Sequence, residues 1–404
     1  MRGNTLASST WLHAGLYLHL SSIDVATEFS VYFLCAPELL EPEGAMITAD
    51  SSRTLLLQRA MLRANKLSEA GLGLTAPNPI VGAVILDANG QEIASGFHSG
   101  GDHAEVVAIK DAKSRGFTDF SQCTMVVTLE PCNHQGKTGP CSEAIIHAGF
   151  KSVAFAVGDP NPVAQGGAVT LRSAGIDVAE GIEEEVVAFT NRAWLKKIKS
   201  GKLWIITKIA ATLDGKIAAS DGTSQWITSD NARRDVAVLR NQSDAIVTTT
   251  ATVLADNPDL TPRFENGNNP SGRVKNPVRV VMGERAIPPE FAVHNEKAET
   301  RLINSHDFAS LIDMAQHFGW NQIMIEAGST FNSALIRAGL VDEIVLYQAP
   351  SLLGAGKNFV TDLGINTLNN RISFNYGEIV KVGSDLRIQL LKEISQDLNL
   401  EGAR

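Results

Sequence analysis

The chain has 404 residues, of which 44% are hydrophobic and 20% are charged, as is ordinary for globular proteins. Its net charge of −9 argues against nucleic-acid binding, which usually needs a basic surface, and no segment is long and apolar enough to predict a membrane span. The length suffices for two domains, and four cysteines fit a reducing compartment without disulfides, so we expect a cytoplasmic protein.

The first 50 residues lack the pattern of a folded domain or of a targeting signal. Isolated apolar residues such as Trp11 stand among small polar runs, and no basic segment leads into a long apolar core. Acidic residues such as Glu38 argue against a transit peptide. Helical periodicity begins only at Leu57. We therefore predict a disordered or non-native extension over residues 1–50, with Met46 as the natural start.

Helices and strands alternate from about residue 55 to residue 193. The alternation predicts a mixed sheet covered by helices, in which strand ends lie beside helix starts. The predicted elements are a helix ending near residues 71–73, strands at residues 80–86, 93–96, 124–129 and 153–157, and helices at residues 104–116 and 142–149.

Three metal-ligand residues occur at the ends of these elements. His103, Cys132 and Cys141 are the usual ligands of a catalytic zinc that keeps its fourth position for water. Zinc lowers the pKa of such a water to about 7, which makes a nucleophile available without strong base. Glu105 follows the histidine by two positions and suits proton transfer to a departing amine. These residues predict hydrolytic deamination of an amino-heterocycle.

The same residues also have simpler interpretations. A His-Ala-Glu triplet is common, and Cys132 could end a strand while Cys141 acts as a small buried hydrophobe. Nine positions separate the two cysteines, not the three of the commonest deaminase pattern. A structural zinc usually has four protein ligands, and no fourth ligand stands out. The order of the motifs and the glutamate favour the catalytic zinc.

A second α/β region follows a basic stretch at residues 196–202, which we interpret as the domain boundary. The predicted strands are residues 204–212, 244–248, 278–282, 322–326 and 343–349, and the predicted helices are residues 231–241 and 329–338. The small-residue turn at Gly328 leads into a helix and could hold phosphate on backbone N–H groups. A βα turn capped by Ser329 is the simpler interpretation. The absence of a GxGxxG motif argues against a Rossmann dinucleotide site.

Residues 53–395 resemble the bifunctional riboflavin-biosynthesis deaminase/reductase family in the order of many motifs. In the first half these are residues 77–82, 96–98, 103–105, 128–141 and 158–162. In the second half they are residues 208–216, 224–228, 232–235 and 251–258. The long loop between the two cysteines belongs to the family pattern, which removes the objection from their spacing.

The resemblance implies an α/β protein of two domains. Residues 51–198 would form a cytidine-deaminase-like three-layer domain, and residues 199–398 a dihydrofolate-reductase-like domain. The first would deaminate 2,5-diamino-6-(5-phosphoribosylamino)pyrimidin-4(3H)-one with zinc, and the second would use NADPH to reduce its ribosyl group to ribityl. The partners implied are this small phosphorylated pyrimidine and further copies of the chain, because the family often forms homo-oligomers, with no nucleic acid and no membrane.

The family's functional residues can be carried over by position. His103, Cys132 and Cys141 match the zinc ligands, and Glu105 matches the proton shuttle. Pocket residues of the deaminase are expected at Asn78, His98, Asn133, Lys137, Asp159 and Asn161. Substrate contacts of the reductase are expected at Ser224, Arg240, Leu260, Arg263 and Glu326, where the two arginines would bind the substrate phosphate. NADPH contacts are expected at Ala210, Trp226, Thr252, Asp256, Gly328, Ser329 and Thr330, and further along residues 328–334. Asp256 and Lys208 are both candidates for the reductase proton donor.

Three other functions are compatible with parts of the sequence. A nucleic-acid-editing deaminase would share the zinc motif but would need a basic track. A zinc-stabilised interaction module would need neither Glu105 nor a cofactor domain, and zinc removal would unfold it. A relative with one degenerate half would have lost one activity, whereas both halves of this chain retain their motifs.

Overall fold

The computed structural model describes residues 49–392, except residues 136–138, 265–268, 270–271 and 274. The extension predicted over residues 1–50 therefore lies outside the described residues, apart from Ala49 and Asp50, which begin a helix. The described residues belong to one compact unit that contains two large sheets. We call residues 49–200 the N-lobe and residues 201–392 the C-lobe. The predicted domain bounds at residues 198/199 remain a prediction.

The N-lobe consists of a five-stranded sheet and six helices. The strands are β1 (Gly82–Leu86), β2 (Glu92–Phe97), β3 (Thr124–Leu129), β4 (Ser152–Val157) and β5 (Asp177–Ala179). The helices are α1 (Ala49–Ser68), α2 (Ala104–Ser114), α3 (Cys141–Ala148), α4 (Gly167–Ser173), α5 (Glu184–Thr190) and α6 (Arg192–Ser200). The strand order is β2-β1-β3-β4-β5, with β1 antiparallel to both neighbours and β3, β4 and β5 parallel.

Helices cover both faces of this sheet, which explains why its central strands are continuous apolar runs. Along β3, Val126 packs into the cluster that contains Met61 of α1, whereas Val127 packs into the cluster that contains Ala108 of α2. Side chains of a strand alternate between faces, so each strand contributes to both cores. The lobe therefore has the predicted three layers.

Two glycines allow close backbone contacts with Ala104 and Pro131, which are next in sequence to the metal-ligand candidates His103 and Cys132. A Cβ atom at Gly96 of β2 would lie 2.7 Å from the carbonyl oxygen of Ala104, so helix α2 packs directly on the strand. A Cβ atom at Gly167 would lie 1.7 Å from the carbonyl oxygen of Pro131, so α4 begins directly against the segment that follows β3. A side chain at either glycine would displace one of these segments.

The C-lobe consists of an eight-stranded sheet, a small two-stranded sheet and four helices. The strands are β6 (Trp204–Thr212), β7 (Lys216–Ala218), β8 (Ala245–Thr249), β9 (Val278–Met282), β10 (Thr300–Ile303), β11 (Gln322–Ile325), β12 (Glu343–Ala349), β13 (Lys357–Asn358), β14 (Phe374–Val382) and β15 (Asp385–Lys392). The helices are α7 (Asp230–Asn241), α8 (Thr250–Asp256), α9 (Phe308–His317) and α10 (Ser329–Arg337).

The large sheet has the order β10-β9-β8-β11-β6-β12-β15-β14, and β7 pairs only with β13 among the described residues. Its first six strands are parallel, and β15 and β14 pair in an antiparallel manner at one edge. The carboxyl ends of β6, β8 and β11 therefore share one edge, where ligand sites of parallel sheets usually form.

The interpretation of Ser329 as the cap of α10 is wrong, whereas the domain boundary at residues 196–202 remains a prediction. This basic stretch is helical as far as Ser200, and two of its lysines contact the C-lobe. Lys196 lies 2.6 Å from Asp342, and Lys197 Nζ donates to the carbonyl of Trp320 at 2.7 Å. Ser329 does not cap α10, because the cap position is occupied by Gly328 and has no side-chain hydrogen bond. No helix in the described part of the chain is both long and apolar enough to cross a bilayer.

Candidate active sites

Three elements of the N-lobe bring the predicted zinc ligands together. His103 precedes the first turn of α2, Cys132 follows β3, and Cys141 is the first residue of α3. His103 Nδ1 lies 3.2 Å from the Sγ of Cys141 and 3.5 Å from the Sγ of Cys132, and all three ligand atoms lie within 4.8 Å of one another. Zinc–ligand bonds of about 2.0–2.3 Å require spacings of this size. The donor set therefore fits one zinc ion.

Without the metal, the surroundings favour the thiolate of Cys132 and the thiol of Cys141, because the hydrogen bond to Cys132 and burial raise the pKa of Cys141. The Cys141 thiol donates towards Cys132 and lowers the pKa of Cys132, although burial opposes the charge. The backbone amide of Cys141 also approaches the Cys132 sulfur, at 3.4 Å. These donors lie at the amino-terminal end of α3, where the helix dipole stabilises negative charge. Cys132 is thus prepared to bind a cation before any ligand arrives.

Glu105 is a buried carboxyl group in the first turn of α2, beside the three ligands. Its side chain is among the most buried charged groups of the N-lobe, with 3% of the residue exposed. Burial raises the pKa of Glu105, and the His103 ring partly opposes that effect. A carboxyl group whose pKa is raised accepts a proton more readily and can return it later in a reaction.

A cavity of about 220 Å³ opens beside Glu105 and the ligands. Of the six further pocket residues expected, Asn78, His98, Asp159 and Asn161 line this cavity. Asn133 does not, because its side chain accepts a hydrogen bond from Ser142 at 2.8 Å, and Lys137 lies outside the described residues. His134 lines the cavity as well.

Two polar groups in this cavity have shifted pKa values. Burial lowers the pKa of His98, whose Nδ1 lies 3.1 Å from the carbonyl of Asp102, so the ring is neutral near pH 7. Its Nε2 is buried and has no hydrogen-bond partner in the described part of the chain, and it is therefore available to a substrate. Burial raises the pKa of Asp159 to about 6.

The sequence alone did not identify Glu130, Trp194 and Ile198 as residues of this site. Glu130 accepts hydrogen bonds from the amides of Asp159, Gly166 and Ala168, at distances of 3.1, 3.2 and 2.9 Å. It thereby holds the Asp159 loop and the start of α4. Trp194 and Ile198 line the cavity from α6, and their spacing of four residues would have predicted a shared helical face.

The C-lobe contains two adjoining cavities, of about 480 and 770 Å³, at the carboxyl edge of its sheet. Ser224, Thr252, Asp256 and Gly328 line both cavities and therefore form the wall between them. The first cavity is also lined by Ala210, Trp226, Arg240, Leu260, Arg263 and Glu326, and the second by Ser329 and Thr330. Ser333, within the expected stretch of residues 328–334, is buried and lines neither cavity. The other residues expected at the reductase site line these two adjoining cavities, although Ala210 and Trp226 lie on the side of the expected substrate residues.

Glu326 lies at the centre of a charged cluster in the first cavity. Its carboxylate is 2.5 Å from Arg240 Nε and 3.0 Å from Lys208 Nζ. Burial disfavours the charged form of Glu326, but Arg240 and Lys208 outweigh burial and lower its pKa well below the usual range. Glu326 is therefore an anion at neutral pH. Its strand end is held by Thr248, whose hydroxyl donates to the Glu326 carbonyl at 2.7 Å.

The same cluster changes the expectation for the two arginines. Arg240 donates to both carboxylate oxygens of Glu326 and to the carbonyl of Thr261, so its guanidinium is already engaged. Arg263 lines the same cavity and is exposed. A phosphate group needs cations whose charge is not already compensated. Arg263 therefore suits the phosphate better than Arg240, which instead holds Glu326 in place.

The wall between the cavities is ordered by local hydrogen bonds. The Ser224 hydroxyl donates to Asp256 at 2.9 Å, and the Asn332 amide donates to the carbonyl of Ala327 at 3.1 Å. A Cβ atom added at Gly328 would meet nothing within 4 Å, so the start of α10 borders open space. Backbone N–H groups at a helix start bind phosphate, and the long cleft suits a dinucleotide. These residues fit NADPH.

Comparison with known proteins agrees with both sites. Residues 56–157 match the family described as the cytidine and deoxycytidylate deaminase zinc-binding region, and residues 203–387 match the RibD C-terminal domain. The chain is 42% identical over 322 residues to the riboflavin biosynthesis protein RibD of Mycobacterium tuberculosis strain H37Rv, covering 79% of this chain and 92% of that protein. It is 38% identical over 366 residues to RibD of Escherichia coli K12, covering 82% and 98%.

Solved structures lead to the same family. A diaminohydroxyphosphoribosylaminopyrimidine deaminase/5-amino-6-(5-phosphoribosylamino)uracil reductase from Thermotoga maritima superposes with a TM-score of 0.75 at 31% identity, covering 84% of this chain and 99% of that chain. Acinetobacter baumannii RibD superposes with a TM-score of 0.73 at 33% identity, with the same coverage. The predicted two-part α/β fold is confirmed. The chain belongs to the RibD family of bifunctional riboflavin-biosynthesis proteins.

Proposed function

We propose that the chain catalyses two consecutive steps of riboflavin biosynthesis. The N-lobe removes the amino group from 2,5-diamino-6-(5-phosphoribosylamino)pyrimidin-4(3H)-one, and the C-lobe then reduces the ribosyl group of the product to ribityl with NADPH. The observation that carries the proposal is the convergence of His103, Cys132 and Cys141 within 4.8 Å, beside the buried carboxyl group of Glu105.

In the deamination, zinc held by His103, Cys132 and Cys141 would supply Lewis-acid activation of water. Glu105 accepts a proton from the attacking water as the new carbon–oxygen bond forms. It then returns a proton to the amino group as the carbon–nitrogen bond breaks, and ammonia leaves. Burial raises the pKa of Glu105, which favours its acceptance of the proton from water. Asn78, His98 and Asp159 are positioned to bind and orient the pyrimidine.

In the reduction, NADPH would supply the hydride, and the protein would supply orientation and charge. Gly328, Ser329 and Thr330 present backbone N–H groups to the cofactor phosphates. Anionic Glu326 and cationic Lys208 lie in the adjoining cavity, where they can bind hydroxyl groups of the sugar. Arg263 is the candidate partner of the substrate phosphate. Lys208 and Asp256 both remain candidates for the group that supplies the proton.

The remaining expectations concern partners and location. The ligands are small phosphorylated pyrimidines, and the net charge of −9 argues against nucleic acid as a partner. We further propose that the chain forms a homo-oligomer, as the family resemblance implies, and that it is located in the cytoplasm, because the two zinc-binding cysteines must stay reduced to act as ligands. Sedimentation of the purified chain tests the oligomeric state, and a monomer at micromolar concentration would contradict that proposal.

The proposed sequence of reactions can be tested directly. The purified full chain is incubated with the diaminopyrimidinone phosphate, with and without NADPH. Ammonia release should occur in both samples, and NADPH oxidation should begin only after deaminated product has accumulated. Oxidation of NADPH without ammonia release, or neither reaction, would refute the proposed order or the proposed function.

A further inference from the structure

A segment of the C-lobe, Gly319 to Gln322, lies directly behind one wall of the N-lobe cavity. The side-chain amide of Asn321 donates to the carbonyl oxygen of Asn78 at 3.2 Å, and Asn78 lines that cavity. A Cβ atom at Gly319 would lie 3.2 Å from Cβ of Pro77, so this glycine packs closely against the proline ring. The loop that borders the deaminase cavity is therefore held by residues of the other lobe.

The same segment also holds a second wall of the cavity. Trp194 and Ile198 of α6 line the cavity, and Lys197, between them in sequence, donates to the carbonyl of Trp320 at 2.7 Å. Trp320 and Asn321 are consecutive residues. Two separate parts of the cavity wall, the Asn78 loop and α6, are thus bonded to one short stretch of the C-lobe.

This stretch is itself firmly anchored. The backbone amides of Asn321 and Gln322 donate to the buried carboxylate of Asp244 at 2.7 and 2.9 Å. The Asn321 carbonyl accepts from the amide of Trp204 at 3.0 Å. The stretch begins β11 at the end opposite to Glu326, so changes there are separated from the C-lobe cleft by the length of the strand, about 13 Å. Asn321 can therefore influence the N-lobe cavity without reaching the cleft.

We infer that Asn321 is a positioning residue for deamination, holding the carbonyl of Asn78 so that the cavity keeps the shape that binds the pyrimidine. The inference rests on the proposed deamination by the N-lobe. Asn78 lines the cavity and is neither one of the three metal-ligand residues nor the proton-transferring Glu105. Loss of the Asn321 bond should therefore weaken substrate binding and leave the chemical step intact. The Thr75 hydroxyl, 3.2 Å from the same carbonyl, limits the effect.

The test compares Asn321→Ala with Gln322→Ala in the full chain. Gln322 is a matched control, because it is a buried amide at the same strand start. Among the described residues its side-chain amide donates within the C-lobe, to the carbonyl of Gln242 at 3.3 Å. The KM of ammonia release should rise about 3- to 10-fold in Asn321→Ala, with kcat within about twofold of wild type. In Gln322→Ala both constants should remain within about twofold of wild type.

NADPH oxidation on pre-deaminated substrate reports in each variant whether the C-lobe is folded, and it should be unchanged. An unchanged KM in Asn321→Ala, an equal rise in both variants, or a fall in kcat alone would overturn the inference. If Asn321→Ala loses NADPH oxidation as well, Asn321→Leu decides, because it keeps a side chain of similar size and removes only the amide that donates to Asn78. A raised KM in that variant supports the inference, and an unchanged KM overturns it. Wild-type protein that releases no ammonia would refute the proposed function itself.

Discussion

The zinc centre of the N-lobe and the cleft of the C-lobe are built on different scales. Three ligand atoms and one carboxyl group, from residues 103–141, define the first, and the ligand atoms lie within 4.8 Å of one another. The cleft consists of two cavities that together exceed 1,000 Å³ in volume. The residues that line the first of them are spread along the chain from Lys208 to Tyr347. Activation of water by a metal requires a few atoms at fixed distances, whereas binding two large ligands requires extended surface.

The comparison predicts that loss of function should be abrupt at the zinc centre and graded at the cleft. Each of the three residues at the zinc centre offers one ligand atom, so the loss of one ligand is not compensated by the others. Each contact in the cleft is one of many and contributes a modest share of binding. The lobes should also respond separately, because no residue that lines the N-lobe cavity also lines either described cavity of the C-lobe cleft.

Removal of zinc should have the largest effect. Dialysis of the full chain against a chelator should abolish ammonia release, because His103, Cys132 and Cys141 are then left without the ion that activates water. NADPH oxidation on pre-deaminated substrate should persist in the same sample. Added zinc should restore deamination. Loss of both activities on chelation would mean that the metal stabilises the whole fold, and the separation of the lobes would be wrong.

Glu105→Gln should have the next largest effect. The amide cannot carry a proton between water and the leaving amine, so kcat of ammonia release should fall by about 10²- to 10⁴-fold. Zinc content measured by atomic absorption should be unchanged, because Glu105 is not one of the ligand set. Reduction of pre-deaminated substrate provides the matched control and should proceed normally. Near-normal deamination by this variant would remove Glu105 from the mechanism.

Glu326→Gln should affect only the cleft. Loss of the carboxylate leaves Lys208 and Arg240 without their shared partner and releases their side chains. We expect the rate of NADPH oxidation to fall by about 10-fold, because the variant misplaces one part of a cleft with many contacts. Ammonia release should remain normal and thereby show that the protein is folded. A normal rate of reduction would show that the cluster serves stability alone.

The smallest effect is expected from the protonation of Asp159. Its pKa is raised to about 6 by burial, so its carboxylate gains a proton as the pH falls through that value. The KM of deamination should then rise several-fold between pH 7 and pH 5 if the carboxylate contacts the substrate. In Asp159→Asn the KM should be higher at pH 7 and nearly independent of pH over this range. The same pH dependence in the variant and the wild type would assign the titration to another group.

The zinc centre could be predicted from the sequence because its residues belong to short motifs beside strand and helix ends. The strands at residues 124–129, 204–212, 278–282 and 343–349 were predicted with the bounds observed, since each is an apolar run with clear limits. In contrast, the sequence did not predict α6. The basic stretch that ends this helix was interpreted as a domain boundary, and the pairing of Lys196 with Asp342, 146 positions further along the chain, has no local signal.

The charges of the cleft could not be predicted for a similar reason. Arg240 and Glu326 are 86 positions apart, and only the parallel sheet and the helix beside it bring them within 2.5 Å. A motif identifies both residues without showing that they neutralise each other. The contact between Asn321 and Asn78 spans 243 positions and carries no local signal at all. The contacts that could not be predicted from the sequence are therefore those between residues far apart in the chain.

Zinc X-ray absorption spectroscopy on the purified full chain tests the central claim most directly. We predict one zinc per chain with two sulfur ligands at about 2.3 Å and nitrogen or oxygen ligands at about 2.0–2.1 Å, as expected for Cys132, Cys141, His103 and a water. Cys141→Ser should lose one sulfur ligand. A chain without zinc, or a zinc bound by four sulfur atoms or by none, would contradict the deaminase assignment.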